Sequence, residues 1–366
     1  MPDFTSALYL GFRHPSWSLQ PWARLSAGMP AALEEPPGAA GIARALAALQ
    51  GCGAATLTPS TLHLFWDLFP ILGGDGKMAI HVDAAAYPIA RWGVERAACH
   101  GVPVRSFPHH DVARLEQAAR DSGRRGLRPL VVTDGLCPGC GRVAPLGAYL
   151  QVAHKLGGWV VVDDTQALGI LGARPGPAAL YGHGGGGSAR WLDVTGPDLL
   201  VAASLAKGFG VPLAGLSGPA DVVGRFEAES QTRVHCSPPS AATLHAAERA
   251  LALNRRYGNG RRLRLAGLVR HFRARLAGIG LTASGGLFPV QTLAPAPVLI
   301  PSALHKRLRA QGIRTVLHQP RCTRGPRISF LITAGHTLAD IDDALDALCA
   351  ATAGPRRQPG GTSCPR

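Results

Sequence analysis

The sequence predicts an α/β protein, with a large domain on a mostly parallel sheet followed by a small α+β domain. Two observations carry this. Between residues 54 and about 216, short β-branched or apolar runs alternate with longer helical patterns, the signature of βαβ units in a sheet buried on both faces. A chain of 366 residues with 46% hydrophobic content is also long enough to bury one large core and a smaller one.

In chain order, residues 1–45 form an N-terminal segment and 46–256 the large domain. Strands are predicted at Ala54 to Thr58, Met78 to Asp83, Pro129 to Asp134, Trp159 to Asp163 and Asp198 to Ser204. An apolar helix runs from Leu62 to Leu72. The run Gly184 to Ser188 reads as a flexible surface loop, because no helix follows it at the spacing a phosphate cradle needs. A helix from Ser240 to about Arg256 is expected to end near Asn259 and Gly260, with a second reaching about Leu276. The small domain, 257–351, carries strands near Gln291 and at Arg327 to Ile332, with helices at Ser302 to Gln311 and Leu338 to Ala350. The Pro/Gly/Arg-rich residues 352–366 are expected to be disordered.

Thirty-eight basic against 23 acidic residues give a net charge of +15. The excess is almost all arginine, scattered through helical patterns such as Arg261, Arg262, Arg264, Arg270, Arg273 and Arg275. With no nucleic-acid-binding pattern beside them, these read as a solvated face, and no nucleic-acid partner is expected. No run of about 18 uncharged apolar residues and no leader-like N-terminus are present, so a cytoplasmic protein without membrane association is expected. Eight irregularly spaced cysteines are too sparse for a disulfide scaffold, and reduced thiols are expected.

Two strand ends carry chemistry. Lys207, one of only four lysines, follows the apolar run ending at Ser204. An amine among small residues at a strand-to-loop junction packs poorly, but desolvation frees its lone pair to form an imine. Ser204, three residues earlier, could reach a phosphate. The buried run Val160 to Val162 ends at Asp163 and Asp164, and a carboxylate at that depth needs a cation. The protonated pyridine nitrogen of pyridoxal 5′-phosphate (PLP) is one such cation; capping of the next helix or metal binding are the plainer alternatives.

An acidic strand end 44 residues before such a lysine resembles the Asp-x-x-His and Ser/Thr-x-x-Lys-(Ala/Gly)-x-Gly motifs of the α-oxoamine synthases, PLP enzymes that include 8-amino-7-oxononanoate synthase. Phe107 to Asp111 with Leu115, Thr133 to Gly135 through Ala144 to Leu146, and Arg327 to His336 resemble further family segments in the same order. The similarity spans roughly residues 30 to 350. It implies an aspartate-aminotransferase-like large domain (PLP fold type I) with a mainly parallel seven-stranded sheet, and a homodimer.

By this resemblance Lys207 holds PLP as an imine and moves the α-proton, Asp163 pairs with the pyridinium, and Tyr87 stacks on the ring where the family has histidine. Ser60, Thr61 and Leu62 open a helix whose N–H groups bind the phosphate. Ser204 and His235 are further cofactor contacts, with Cys236 beside His235 where the family reaches the neighbouring subunit's phosphate. Arg327 clamps the amino-acid carboxylate. Plainer roles stand beside these: Tyr87 as a core aromatic, Ser60 and Thr61 as an N-cap, Arg327 as a surface strand residue.

The chain departs from the family at four further places. Gln166 stands where the family has the histidine that contacts the ring hydroxyl; its amide can donate a hydrogen bond but cannot move a proton. Val132, Ser329 and Thr61 replace a serine, an arginine and a glycine. The implied reaction condenses an amino acid with an acyl thioester of coenzyme A or a carrier protein. Transamination or another amino-acid conversion, and a degenerate PLP-fold interaction protein, are the alternatives. A lone Cys137-x-x-Cys140 is weak as a metal motif and no metal is expected, although its place beside the expected site leaves a substrate contact open.

Overall fold

A computed structural model describes residues 2–297 and 299–352. The chain folds as an α/β protein on a seven-stranded sheet, ordered β1-β7-β6-β5-β4-β2-β3. The strands are β1 (Ala54–Thr58), β2 (Met78–Asp83), β3 (Val104–Phe107), β4 (Arg128–Asp134), β5 (Trp159–Asp163), β6 (Leu199–Ser204) and β7 (Ala214–Gly218). Only β7 runs antiparallel to its neighbours. All five strands predicted from sequence form, within a residue of the expected ends. The two that sequence patterning misses are β3, a four-residue edge strand, and β7, which carries two glycines that lower its strand propensity.

Side chains alternate across this sheet, and both faces are covered. Ile80, Val82, Leu130, Val132 and Val161 pack toward α2 (Thr61–Gly73) and α3 (Pro88–Cys99), the latter reached after α1 (Ala39–Gln50). Val131, Val160, Val162 and Val201 face α4 (Val112–Gly123) and α5 (Leu146–His154). Each fully buried Val, Leu or Ile contributes about 1.5–3 kcal/mol, which is why these strands read as continuous apolar runs.

Short helices α6 (Ser188–Trp191), α7 (Ala220–Glu229) and α8 (Gln231–His235) precede α9 (Ala241–Gly278). Where two helices meeting near Asn259 and Gly260 were expected, α9 is one unbroken helix of 38 residues. It runs through the expected 256/257 boundary. Glycine in a helix interior costs about 1 kcal/mol, so Gly258 and Gly260 read locally as a break. Here long-range hydrogen bonds offset that cost: Asn254 Nδ2 donates to Gly184 O at 2.7 Å, and buried Arg262 donates to Gly169 O at 2.8 Å. The arginines expected on a solvated face are therefore partly internal. Arg264 donates to the carbonyls of Ala334 and His336, and Arg273 to that of Ala283.

A second, four-stranded antiparallel sheet follows, ordered β10-β11-β9-β8. It comprises β8 (Ala283–Ser284), β9 (Val290–Leu293), β10 (Val316–His318) and β11 (Arg327–Leu331), with α10 (Pro301–Ala310) and α11 (Leu338–Thr352) packed on it. Residues 353–366, read from sequence as a disordered tail, lie outside the described residues, whereas Thr352 ends α11. No described helix is long and apolar enough to cross a membrane.

The glycine run is also corrected. Gly185 to Ser188 are buried, and α6 starts directly at Ser188. Asp164 is the reason: its carboxylate accepts from Ser188 N at 2.8 Å and from Ser188 Oγ at 2.6 Å. Gly187 has a φ of 101°, and a Cβ there would stand 1.8 Å from Asp164 Oδ2. The loop is rigid packing around a buried carboxylate, and a local reading of glycine content sees only its flexibility.

His81 lies at the centre of β2, fully buried, and neither ring nitrogen has a hydrogen-bond partner. Burial, aided by the Arg105 charge, pushes its pKa down to about 4. The unfolded chain takes up this proton near pH 6.5, while the fold refuses it until about pH 4. Its neutral state therefore supports folding fully above about pH 6.5, and that support is lost as pH falls toward 4. His81→Leu is expected to stabilise the fold by roughly 1–3 kcal/mol near neutrality and by more at about pH 5. Urea midpoints at both pH values check this, and a gap that does not widen on acidification counts against it.

Candidate active site

The carboxyl ends of β2, β4, β5 and β6 place Asp83, Asp134, Asp163 and Ser204 along one edge of the sheet. Ligands of open α/β sheets sit in the crevice beyond such ends. A pocket of about 170 Å3 opens there, lined by Thr61, Tyr87, Asp134, Leu136, Pro138, Asp163, Thr165, Gln166, Ser204 and Lys207.

Lys207 follows β6 and is half-buried. Burial pushes its pKa down, with Asp163 and Asp134 pulling the other way, so its amine is more nucleophilic than a surface lysine's. Its Nζ lies 5.7 Å from the centre of the Tyr87 ring. Tyr87 is 47% exposed, which rules out the core-aromatic reading and puts its face at the pocket mouth.

Asp163 is buried at the end of β5, in register with Asp134 on β4. Burial raises the pKa of Asp163, opposed by hydrogen bonds from Thr165 and the charge of Lys207. Burial and the neighbouring Asp163 raise Asp134 well above the ordinary range. Tyr87 N donates to Asp134 Oδ1 at 3.0 Å, and Thr165 N to Asp163 Oδ1 at 3.1 Å. A buried Asp163 carboxylate beside a protonation-prone Asp134 leaves the pocket in want of a cation, a need that a cationic ring would meet. Asp163 and Asp164 thus divide their roles: the first faces the pocket, the second is satisfied by Ser188.

Two residues that sequence reasoning missed complete the arrangement. Thr165 Oγ1 accepts from Ser204 N at 3.0 Å, tying the ends of β5 and β6 together. Fully buried Tyr9 donates its hydroxyl to Gln166 Oε1 at 2.8 Å. Burial raises the Tyr9 pKa, so it stays a donor. With its oxygen occupied, Gln166 has its NH2 left to donate toward a ligand in the pocket it lines. Tyr9 carries no local signal, since its partner is 157 residues away.

Thr61 reaches the pocket at the N-terminus of α2, where the first N–H groups have no intrahelical partner. Ser60 does not cap the helix with its side chain; its Oγ bonds His63 Nδ1 at 2.9 Å. The Leu62 side chain is exposed, leaving its backbone N–H as its contribution.

Two expected contacts are not brought to this pocket within the chain. His235 is exposed at the end of α8. Arg327, half-buried at the start of β11, bonds its neighbour's carbonyl at 3.0 Å and borders a separate hollow with Leu293 and Ile328.

The donor set fits PLP: an amine with depressed pKa, a carboxylate in need of a cation, an aromatic face, and a helix N-terminus for a phosphate. Comparison with known proteins gives the same picture. A family model described as aminotransferase class I and II matches residues 44–348. Serine palmitoyltransferase from S. paucimobilis, solved with a bound PLP–myriocin aldimine, has a similar fold at TM-score 0.80 and 18% identity, covering 94% of this chain and 86% of that one. The Sphingomonas wittichii serine palmitoyltransferase gives 0.78 at 16% identity, covering 94% and 86%. The 8-amino-7-oxononanoate synthase from Francisella tularensis gives 0.72 at 16% identity, covering 95% and 96%.

Proposed function

Because the chain belongs to the class I and II aminotransferase family, we propose that it is a PLP-dependent transferase that joins an amino acid to an acyl thioester, as the α-oxoamine synthases do. The observation carrying this is the bracket formed by Lys207 and Asp163 at the ends of adjacent strands, around one pocket with the Tyr87 ring at its mouth. The fold shared with a serine palmitoyltransferase and an 8-amino-7-oxononanoate synthase supports it.

Bound there, PLP supplies an electron sink for a carbanion next to the amino-acid nitrogen. Lys207 would supply the amine that holds the cofactor and a base of lowered pKa for the α-proton. Asp163 keeps the ring nitrogen protonated by offering a buried anion. Gln166 would offer its NH2 and Tyr87 its ring face to the cofactor, and Thr61, Ser204 and the N–H groups of Thr61 and Leu62 would hold its phosphate. Asp134, held by Tyr87 N, sits beside Asp163 with its pKa raised well above the ordinary range by burial and by that neighbour. In a homodimer, His235 would serve the partner's phosphate and Arg327 the substrate carboxylate.

One observation favours transamination as a second reading. Gln166 cannot relay a proton, and its oxygen is already taken by Tyr9. Incubating the protein with amino acids and acyl-coenzyme A separates the two. Acyl transfer is expected to release free thiol without 2-oxo acid. Formation of 2-oxo acid with no thiol would instead establish transamination.

A further inference from the structure

Beside the pocket, and outside its chemistry, four metal-binding side chains from three distant parts of the chain converge. His109 follows β3, Cys137 and Cys140 follow β4, and Cys322 lies between β10 and β11. The ligand atoms of His109, Cys137 and Cys140 all lie within 4.8 Å of one another, with His109 Nε2 3.4 Å from Cys140 Sγ. Cys322 comes up beside this cluster: a Cβ on Gly139, between the two cysteines, would stand 2.5 Å from its Sγ. We propose that His109, Cys137, Cys140 and Cys322 bind one zinc ion in a closed, structural Cys3His site.

The spacing of His109, Cys137 and Cys140 suits that ion, and Cys322, next to Gly139, would close the shell. Zinc holds thiolates at about 2.3 Å and imidazole nitrogen at about 2.0–2.1 Å in a tetrahedron, so its ligands stand about 3.5–3.8 Å apart. Backbone geometry presents the two thiols of the Cys-Pro-Gly-Cys segment together. An antiparallel bridge pairs Leu136 with Val143, Cys137 N donates to Arg142 O at 3.0 Å, and Gly141 N donates to Cys137 O at 2.7 Å. Gly141 turns this tip with a φ of 69°, and a Cβ there would stand 2.0 Å from Gly285 Cα, so the turn is clamped against the second sheet.

The surroundings are those of a metal-bound histidine. Nearly fully buried Asp83 accepts from His109 Nδ1 at 2.8 Å, which fixes the proton there and leaves the Nε2 lone pair aimed at the cysteines. Asp83 is itself fixed by Ala85 N at 2.8 Å and His110 N at 3.1 Å. Binding releases three thiol protons to solvent, and the site of three thiolates and one dication carries a net charge of −1. The charge of nearby Arg142 would offset it.

With four protein ligands no position is left for substrate, so the role is structural. The ion would join the segments after β3 and β4 to the loop before β11, and so fix Leu136 and Pro138, two walls of the pocket. A Cys137–Cys140 disulfide is the competing use of these thiols, but it leaves His109, Asp83 and Cys322 without a reason to converge.

The test uses the purified full-length protein. Elemental analysis is expected to find about one zinc per chain, and zinc-edge absorption a shell of three sulfurs and one nitrogen. Cys322→Ser is expected to lose zinc to a chelator that leaves the wild type loaded. Asp83→Asn is expected to weaken zinc binding about 10–100-fold. Cys99→Ser and Cys349→Ser, at exposed cysteines, should retain zinc. Should Cys322→Ser fail to fold by circular dichroism, the absorption shell of the wild type decides. A metal-free protein lighter by two hydrogens, with Cys137 joined to Cys140, would overturn the proposal. So would bound zinc with no sulfur in its shell.

Discussion

Lys207→Ala is expected to abolish turnover, lowering kcat/KM by at least about 10^3-fold, and to remove the visible absorbance that borohydride bleaches in the wild type. The effect is expected to be large because, in the proposed function, the same amine would hold the cofactor and move a proton, and no other lysine lines the pocket. Its lowered pKa comes mainly from burial, so the depression should survive high salt, unlike a shift caused by surface charge. Folding is expected to be intact, since the desolvated amine is replaced by an apolar group. A variant that keeps both the absorbance and the activity would end the assignment of this pocket.

Asp163→Asn should reduce cofactor affinity by about 10^2–10^3-fold, with turnover falling alongside it. Leaving one partner of a buried ion pair uncompensated costs about 3–5 kcal/mol, and each 1.36 kcal/mol is a factor of ten. The variant preserves shape while removing the anion, so the loss reports charge. Asp134→Asn should cost less, because Asp134 lies further from the charged state, its pKa pushed well up by burial and by Asp163. Titrating the purified apoproteins with PLP by absorbance and fluorescence gives the affinities. If the Asp134 variant suffers the larger loss, the two carboxyls have exchanged roles.

The residues legible from sequence share a property: their signal is local. Lys207 and Asp163 stand out because a lysine after an apolar run, and a carboxylate ending one, conflict with ordinary packing. The same strand-end position puts Thr165 and Asp134 in the pocket, and sequence order alone gave them no role. Tyr9 looks like any core tyrosine until its hydroxyl meets Gln166. Read locally, Arg262 belongs to a basic surface; folded, it is buried among carbonyls that sequence cannot place beside it. Cys137 and Cys140 by themselves make a weak metal motif, because the side chains gathered beside them, His109 and Cys322, are remote in sequence.

The sequence by itself determined the parallel sheet and its strand ends, and so that Lys207 and Asp163 line one pocket, because apolar periodicity and chain punctuation act over a few residues. Tertiary structure alone decided that α9 is continuous, that the glycine run is packed solid around Asp164, and that Cys322 meets Cys137 and Cys140. Those outcomes depend on which distant groups satisfy buried polar atoms. That choice is made by the whole fold, since a donor or acceptor removed from water must find its partner wherever the chain has brought one.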